Sequence, residues 1–321
     1  MIMPVIDMPL ADLYNYQGRN PRPADFDAYW DAALAEMNAV DPQVELVKAD
    51  IETAFATCYH LYFTGVRGAR IHAKYIQPKH LSGTQPAVLM FHGYSGHSGS
   101  WLDKLAYAAQ GITVAALDVR GQGGRSQDSS AYTGWTHSGQ FVRGLGGDPQ
   151  NLAFRHIFLD TAQLAKIIMG MEHVDETRVG AYGASQGGAL TLACVALEPR
   201  VKYAAPVYPF LCDYQRVWEM DLAVDAYEEL ARWFRAFDPR HEREEEVFTQ
   251  LGYIDIQHLA PRIRAEVKLG VGLMDTVCPP SSQFAAYNKI TSKKALRIYP
   301  DFAHEDLPGF TDEVFQWMAT L

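Results

Sequence analysis

From residue 87 onward the chain repeats one alternation. Short apolar runs at 87–91, 112–118, 179–182, 203–207, 267–274 and 296–299 are separated by stretches long enough to hold a helix. Such runs are apolar on both faces, so each strand is expected to lie in a mostly parallel sheet covered by helices on both sides. Three earlier runs, 44–51, 57–64 and 69–76, are β-rich and closely spaced, with Gly65 and Gly68 marking a hairpin turn. They predict an antiparallel start to the same sheet. An amphipathic segment at 25–37 predicts a helix ahead of them.

Composition supports a large core: of 321 residues, 48% are hydrophobic and 21% charged, which excludes a disordered chain. No Ser, Gly or Pro-rich linker divides the sequence, so the expectation is one domain over 1–321, with an N-terminal extension and antiparallel strands at 1–80 and a helical insertion at 211–263. Within that insertion, 217–237 carries apolar residues at helical spacing and 240–246 is a charged run suited to a solvated helix face. A net charge of −10 and a pI near 5.5 argue against nucleic acid or an anionic membrane as partner. No run of eighteen apolar residues occurs, and Pro4, Asp7 and Pro9 interrupt the start where a leader's apolar stretch would stand. Together with four widely spaced cysteines, Cys58, Cys194, Cys212 and Cys278, this gives an expectation of a cytoplasmic protein with free thiols.

Chemistry enters at Gly183-Ala184-Ser185-Gln186-Gly187, which follows the run 179–182 and precedes a helix-like stretch. In a strand-turn-helix context this pattern holds a serine oxygen out at a helix N-terminus, which makes Ser185 the candidate nucleophile. Elsewhere a Gly-rich turn simply lets a helix pack close to a sheet. A nucleophilic serine needs a histidine oriented by a carboxylate, and in α/β hydrolases these follow in the order Ser, Asp or Glu, His. Asp275 closes the run 267–274, and His304 lies in the loop after 296–299, so each stands just beyond a predicted strand. A turn or cap carboxylate and a surface histidine are the plainer readings of each alone. Asp301 is a rival acid but sits three residues before His304 in the same loop.

Among the remaining histidines, His92 in Phe91-His92-Gly93-Tyr94-Ser95-Gly96 precedes the nucleophile and is read as fixing its loop. That loop resembles those that supply an oxyanion-hole amide, so the backbone N–H groups of Tyr94 and Gln186 are the candidate oxyanion donors. Tyr94 and Phe210 are candidate walls of an acyl pocket, although both suit ordinary packing. His60, His72 and His80 fall in the β-rich start, and His156, His173, His241 and His258 on or near helical stretches, without zinc-helix spacing. No Cys-x-x-Cys or His-Glu-x-x-His occurs, so neither a metal nor another cofactor is expected.

Arg120-Gly121-Gln122 after the run ending at Asp118, the Gly-x-Ser-x-Gly match, and His304-Glu305 together resemble carbohydrate esterase family seven, the acetyl xylan esterases and cephalosporin C deacetylases, over nearly the whole chain. The resemblance implies an α/β-hydrolase fold and a metal-free serine esterase that removes acetyl groups from acetylated xylo-oligosaccharides, other small esters and cephalosporin C. It implies a homo-hexamer enclosing its active sites, and gives Arg120 and Gln122 a supporting role beside the catalytic loops. Two other readings stay open. A peptidase of this fold would share the order of the three residues but usually carries a large extra domain, and a non-catalytic binding protein typically lacks one of the three.

Overall fold

The computed structural model describes residues 6–79, 83–132 and 140–321. Its strands are β1 (Glu45–Glu52), β2 (Ala56–Thr64), β3 (Arg70–Pro78), β4 (Gln85–Phe91), β5 (Thr113–Leu117), β6 (Val174–Ala184), β7 (Tyr203–Val207), β8 (Glu266–Gly272) and β9 (Lys294–Tyr299). They form one sheet in the order β1-β2-β3-β5-β4-β6-β7-β8-β9. Pairing is antiparallel from β1 to β3 and between β3 and β5, and parallel from β5 through to β9. The antiparallel start and parallel remainder match the expectation, and Gly65 accordingly closes the β2–β3 turn by donating to the Ala69 carbonyl.

Helices are α1 (Leu10–Leu13), α2 (Phe26–Asn38), α3 (Leu102–Ala109), α4 (Ala153–Met169), α5 (Gln186–Leu197), α6 (Tyr214–Glu219), α7 (Glu228–Phe237), α8 (Glu244–Leu251), α9 (Ile256–Leu259), α10 (Pro280–Lys289) and α11 (Phe310–Met318). In α2 the buried residues Phe26, Tyr29, Trp30, Ala33 and Met37 recur at helical spacing and join a core with α4 and α5. On the opposite face α3 and α11 pack Tyr107, Phe310, Val314 and Met318 against Val88, Val114 and Ala205. β5 is buried at every position, as a strand covered on both faces should be.

Two expectations change in detail. The helical spacing at 217–237 does not become one helix: α6 ends at Glu219, and positive φ angles at Asp221 and Asp225 turn the chain before α7 begins. Within the charged run, Glu244, Glu245 and Glu246 form the first turn of α8, where acidic side chains oppose the positive end of the helix dipole. The run 267–274 also leaves the sheet early. β8 stops at Gly272, and Leu273 and Met274 instead donate to the carbonyls of Tyr299 and Phe302. His80 lies outside the described residues.

Candidate active site

Ser185 joins β6 to α5 with φ 58° and ψ −119°, a conformation a non-glycine residue rarely adopts. Its neighbours explain how the turn is held. A Cβ at Gly187 would stand 2.1 Å from the Phe91 carbonyl oxygen, and one at Gly183 would stand 2.5 Å from the Gly187 carbonyl oxygen. Both flanking glycines are therefore required by close backbone approach. The Ser185 N–H donates to the Val207 carbonyl and its carbonyl accepts from the N–H of Phe210, which ties the turn to the end of β7.

Asp275 follows the early end of β8. One carboxylate oxygen accepts from the N–H groups of Val277 and Cys278, both at 2.8 Å, and the other lies 2.9 Å from Nδ1 of His304. Asp275 is fully buried whereas His304 is partly exposed. The aspartate thus fixes the ring with Nε2 free to face away from it. Asp301, the rival acid, is exposed, and the histidine's bond goes to Asp275. The Met274 N–H bond to the Phe302 carbonyl joins the loop bearing the acid to the loop bearing the histidine.

Cys278 links the three groups. Its thiol lies close enough to the Ser185 side chain to be influenced by it, and its sulfur, an Asp275 oxygen and a His304 nitrogen lie within 4.8 Å of one another. Among the described residues this is the one cluster with the makings of a metal site, and it coincides with the Asp275–His304 pair. Burial pushes the Cys278 thiol well above its ordinary pKa, so it stays neutral beside the Asp275 carboxylate. From the sequence this cysteine reads as a plain free thiol. Its position three residues after Asp275, in the turn that the carboxylate caps, is the signal that would have placed it.

The loop after β4 approaches from the other side. Nε2 of His92 accepts from the Val119 N–H at 3.0 Å while Nδ1 donates to the Gly93 carbonyl at 2.7 Å, which assigns the tautomer and gives the loop-fixing geometry. Gln186 and Gln122 exchange reciprocal amide hydrogen bonds at 2.7 and 3.0 Å. The Gln186 amide also donates to the carbonyls of His92 and Gly93. Arg120, two residues before Gln122, makes paired 2.6 Å bonds to Asp160 of α4, with both side chains buried. Arg120, Gln122, Gln186 and the 92–94 loop therefore form one connected bracket around the Ser185 turn.

Tyr94 is partly buried, its ring 5.1 Å from that of Phe210. Phe210 departs from the expected pocket wall: it has no exposed surface and sits among Phe141, Tyr227 and Tyr94, as the packing behind Tyr94. Tyr208, just past the end of β7, holds its ring 4.5 Å from that of His304 at a tilt of 51°, and nothing in the sequence singles it out. Elsewhere His72 is buried and pairs with Asp118 at 2.6 Å, and His60 pairs in turn with His72 at 2.9 Å, so these two histidines are committed to a structural chain.

Comparison with known proteins identifies the family. The acetyl xylan esterase (AXE1) family model matches residues 3–321. Acetyl xylan esterase 1 from a Thermoanaerobacterium species superposes with a TM-score of 0.96 at 60% identity, covering 98% of this chain and 99% of that one. An acetyl xylan esterase from a Paenibacillus species gives a TM-score of 0.91 at 36% identity, with the same coverage of 98% and 99%. Acetyl esterase Axe7A of Xylanibacter ruminicola is 28% identical over 288 residues, 88% of this chain, which spans 63% of that relative's length. A family match over nearly the full sequence, on a nine-stranded sheet with an Asp-bonded histidine beside a strained serine turn, shows that the chain belongs to the acetyl xylan esterase family.

Proposed function

We propose that the protein is a serine carboxylic ester hydrolase that removes acetyl groups from acetylated xylo-oligosaccharides and other small acetyl esters, including cephalosporin C. The observation that carries this reading is the meeting of the Asp275–His304 pair and the strained Ser185 turn at the Cys278 thiol. Ser185 Oγ attacks the acetyl carbonyl as His304 Nε2 takes its proton, with Asp275 holding the imidazole through Nδ1. The negative charge that develops on the carbonyl oxygen is met by the N–H groups of Tyr94 and Gln186. Collapse expels the sugar alcohol, which receives the proton from His304. Water, activated by the same histidine, then attacks the acetyl-serine and releases acetate.

Arg120 and Gln122 serve as supports, through Asp160 and the Gln186 side chain respectively. Tyr94 faces the acyl group, with Phe210 packed behind it. Residues 1–321 act as one catalytic domain, with the 211–263 insertion as a cover over the strand ends; the protein is cytoplasmic, and in keeping with the family resemblance it is a homo-hexamer. Among the described residues no helix is long and apolar enough to cross a membrane. Hydrolysis of p-nitrophenyl acetate, butyrate and octanoate compared with acetate release from acetylated xylo-oligosaccharides tests the substrate class: rates should fall steeply beyond acetyl, and equal rates on acetyl and octanoyl esters would refute a small acyl pocket. An aminoacyl p-nitroanilide should be left intact, and light scattering of the purified protein reads the assembly.

A further inference from the structure

The Tyr94 side chain is engaged far more heavily than a loop aromatic needs. Its hydroxyl donates to Oε2 of Glu229 at 2.9 Å and accepts from the N–H groups of Gln140 at 2.6 Å and Phe141 at 3.2 Å. Glu229 lies in the first turn of α7, inside the insertion, and is 6% exposed. The peptide groups of Phe141 and Val142 and the Arg143 guanidinium are near enough to the same carboxylate to favour its charge. Three chain segments, the loop after β4, the 140–143 loop and α7, thus converge on one buried acid. The ring between this hub and the backbone is braced as well, lying edge-on to Phe210 and stacked at 6.4 Å on Phe154 of α4. Phe210 in turn donates its N–H to the Ser185 carbonyl.

A buried carboxyl is expensive to retain unless it is satisfied, and burial raises that of Glu229 to about 7 against the lowering effects of Tyr94, Arg143 and the two peptide groups. An apolar residue would fill the site at less cost if packing were all that mattered. What the acid supplies is a fixed endpoint for a rigid tyrosine, whose other end is the peptide N–H proposed to meet the oxyanion. We propose that Glu229 is a positioning residue for that amide, acting through the Tyr94 hydroxyl, so that the inserted helix sets the geometry of the oxyanion site. The inference rests on the assignment of Ser185 and the Tyr94 N–H made under the proposed function, and goes beyond it by giving the insertion a part in turnover.

The test uses the full-length protein with Glu229→Leu, Glu229→Gln, Tyr94→Phe and the Glu229→Leu/Tyr94→Phe double variant. Active sites are counted with a fluorophosphonate, and kcat and KM are measured on p-nitrophenyl acetate. Because one oxyanion donor is worth about 10²- to 10³-fold and misplacement loses part of that, kcat per titrated site should fall about 10- to 100-fold in Glu229→Leu and in Tyr94→Phe. KM should change little, the double variant should resemble either single variant, and Glu229→Gln, which can still accept from the hydroxyl, should recover most of the rate. Native kcat per site in both Glu229→Leu and Tyr94→Phe overturns the inference, whether or not thermal stability falls, since a purely structural role lowers the count of active sites and leaves the rate of each unchanged. Should Glu229→Leu not fold, Tyr94→Phe and Glu229→Gln decide it: native kcat per site in Tyr94→Phe overturns the inference, and so does a kcat in Glu229→Gln as low as in Tyr94→Phe. A Ser185→Ala control separates the two levels: if it still turns over, the underlying assignment fails, whereas an inactive control beside fully active Glu229→Leu and Tyr94→Phe variants rejects the role of Glu229 alone.

Discussion

The two halves of the site are held by different kinds of structure. Ser185, Asp275 and His304 each sit within a few residues of a strand end, on turns whose own backbone bonds and glycines set their shape. Tyr94 and Gln186 are held from a distance, by Gln122, by Arg120 through Asp160 on α4, and by Glu229 on the inserted α7. The groups proposed to make and break bonds are thus local features of the sheet, whereas the groups proposed to stabilise charge depend on long-range tertiary contacts. Damage to the first half should remove chemistry and spare the fold. Damage to the second should mix lost rate with lost stability.

The largest expected effects test the first half. Ser185→Ala and His304→Ala should each lower turnover of an acetyl ester by roughly 10⁶-fold, and Asp275→Asn by about 10⁴-fold, with unchanged circular dichroism. Comparable loss in Ser185→Ala with collapse of the fold would erase the contrast between the halves. The bracket is tested next by Arg120→Met, which strands Asp160 as a buried unpaired charge. A loss of about 3–5 kcal/mol in denaturant unfolding is expected, with Asp160→Leu in the same chain recovering much of it. Stability left intact in Arg120→Met would mean that the ion pair is dispensable.

Gly187→Ala blurs the boundary between the halves, since its Cβ would meet the Phe91 carbonyl at 2.1 Å. It should destabilise by more than about 1 kcal/mol and lower kcat as well, because the Ser185 turn and the loop after β4 must part to admit it. The smallest effect concerns pH. Burial and the neighbouring Asp213 raise the Asp255 carboxyl to about 7. Because the folded state holds this proton more tightly than the unfolded chain, its stability contribution is full below about pH 4 and is lost as pH rises towards about 7. Asp255→Asn should flatten that part of the melting-temperature profile and leave the activity profile alone, as the side-chain bonds of the pair go to Tyr16, Arg19, Asn20 and Gln257 and not to Ser185, Asp275 or His304. A parallel shift in the rate profile would tie this acid to the catalytic half.

The same division explains what the sequence made legible. Strand runs covered on both faces, and the residues just past their ends, announce themselves locally, which is why Ser185, Asp275 and His304 could be picked out before their geometry was known. The early end of β8 was hidden because Leu273 and Met274 are as apolar as the strand they follow, and their bonds go to the loop beyond β9. The break between α6 and α7 was hidden because it rests on positive φ angles at two aspartates within a pattern of helical period. Glu229 was invisible for a stronger reason. It meets Tyr94 across 135 residues, and nothing near either residue marks the other.

The central claim is that the serine at the β6–α5 turn forms the acetyl-enzyme. Its most direct test is acetate release from acetylated xylo-oligosaccharides by the native protein and by Ser185→Ala, with folding checked on the same samples. Loss of about six orders of magnitude in a folded variant is the expected result, and turnover within a few-fold of native would show that the turn is structural and that the nucleophile lies elsewhere.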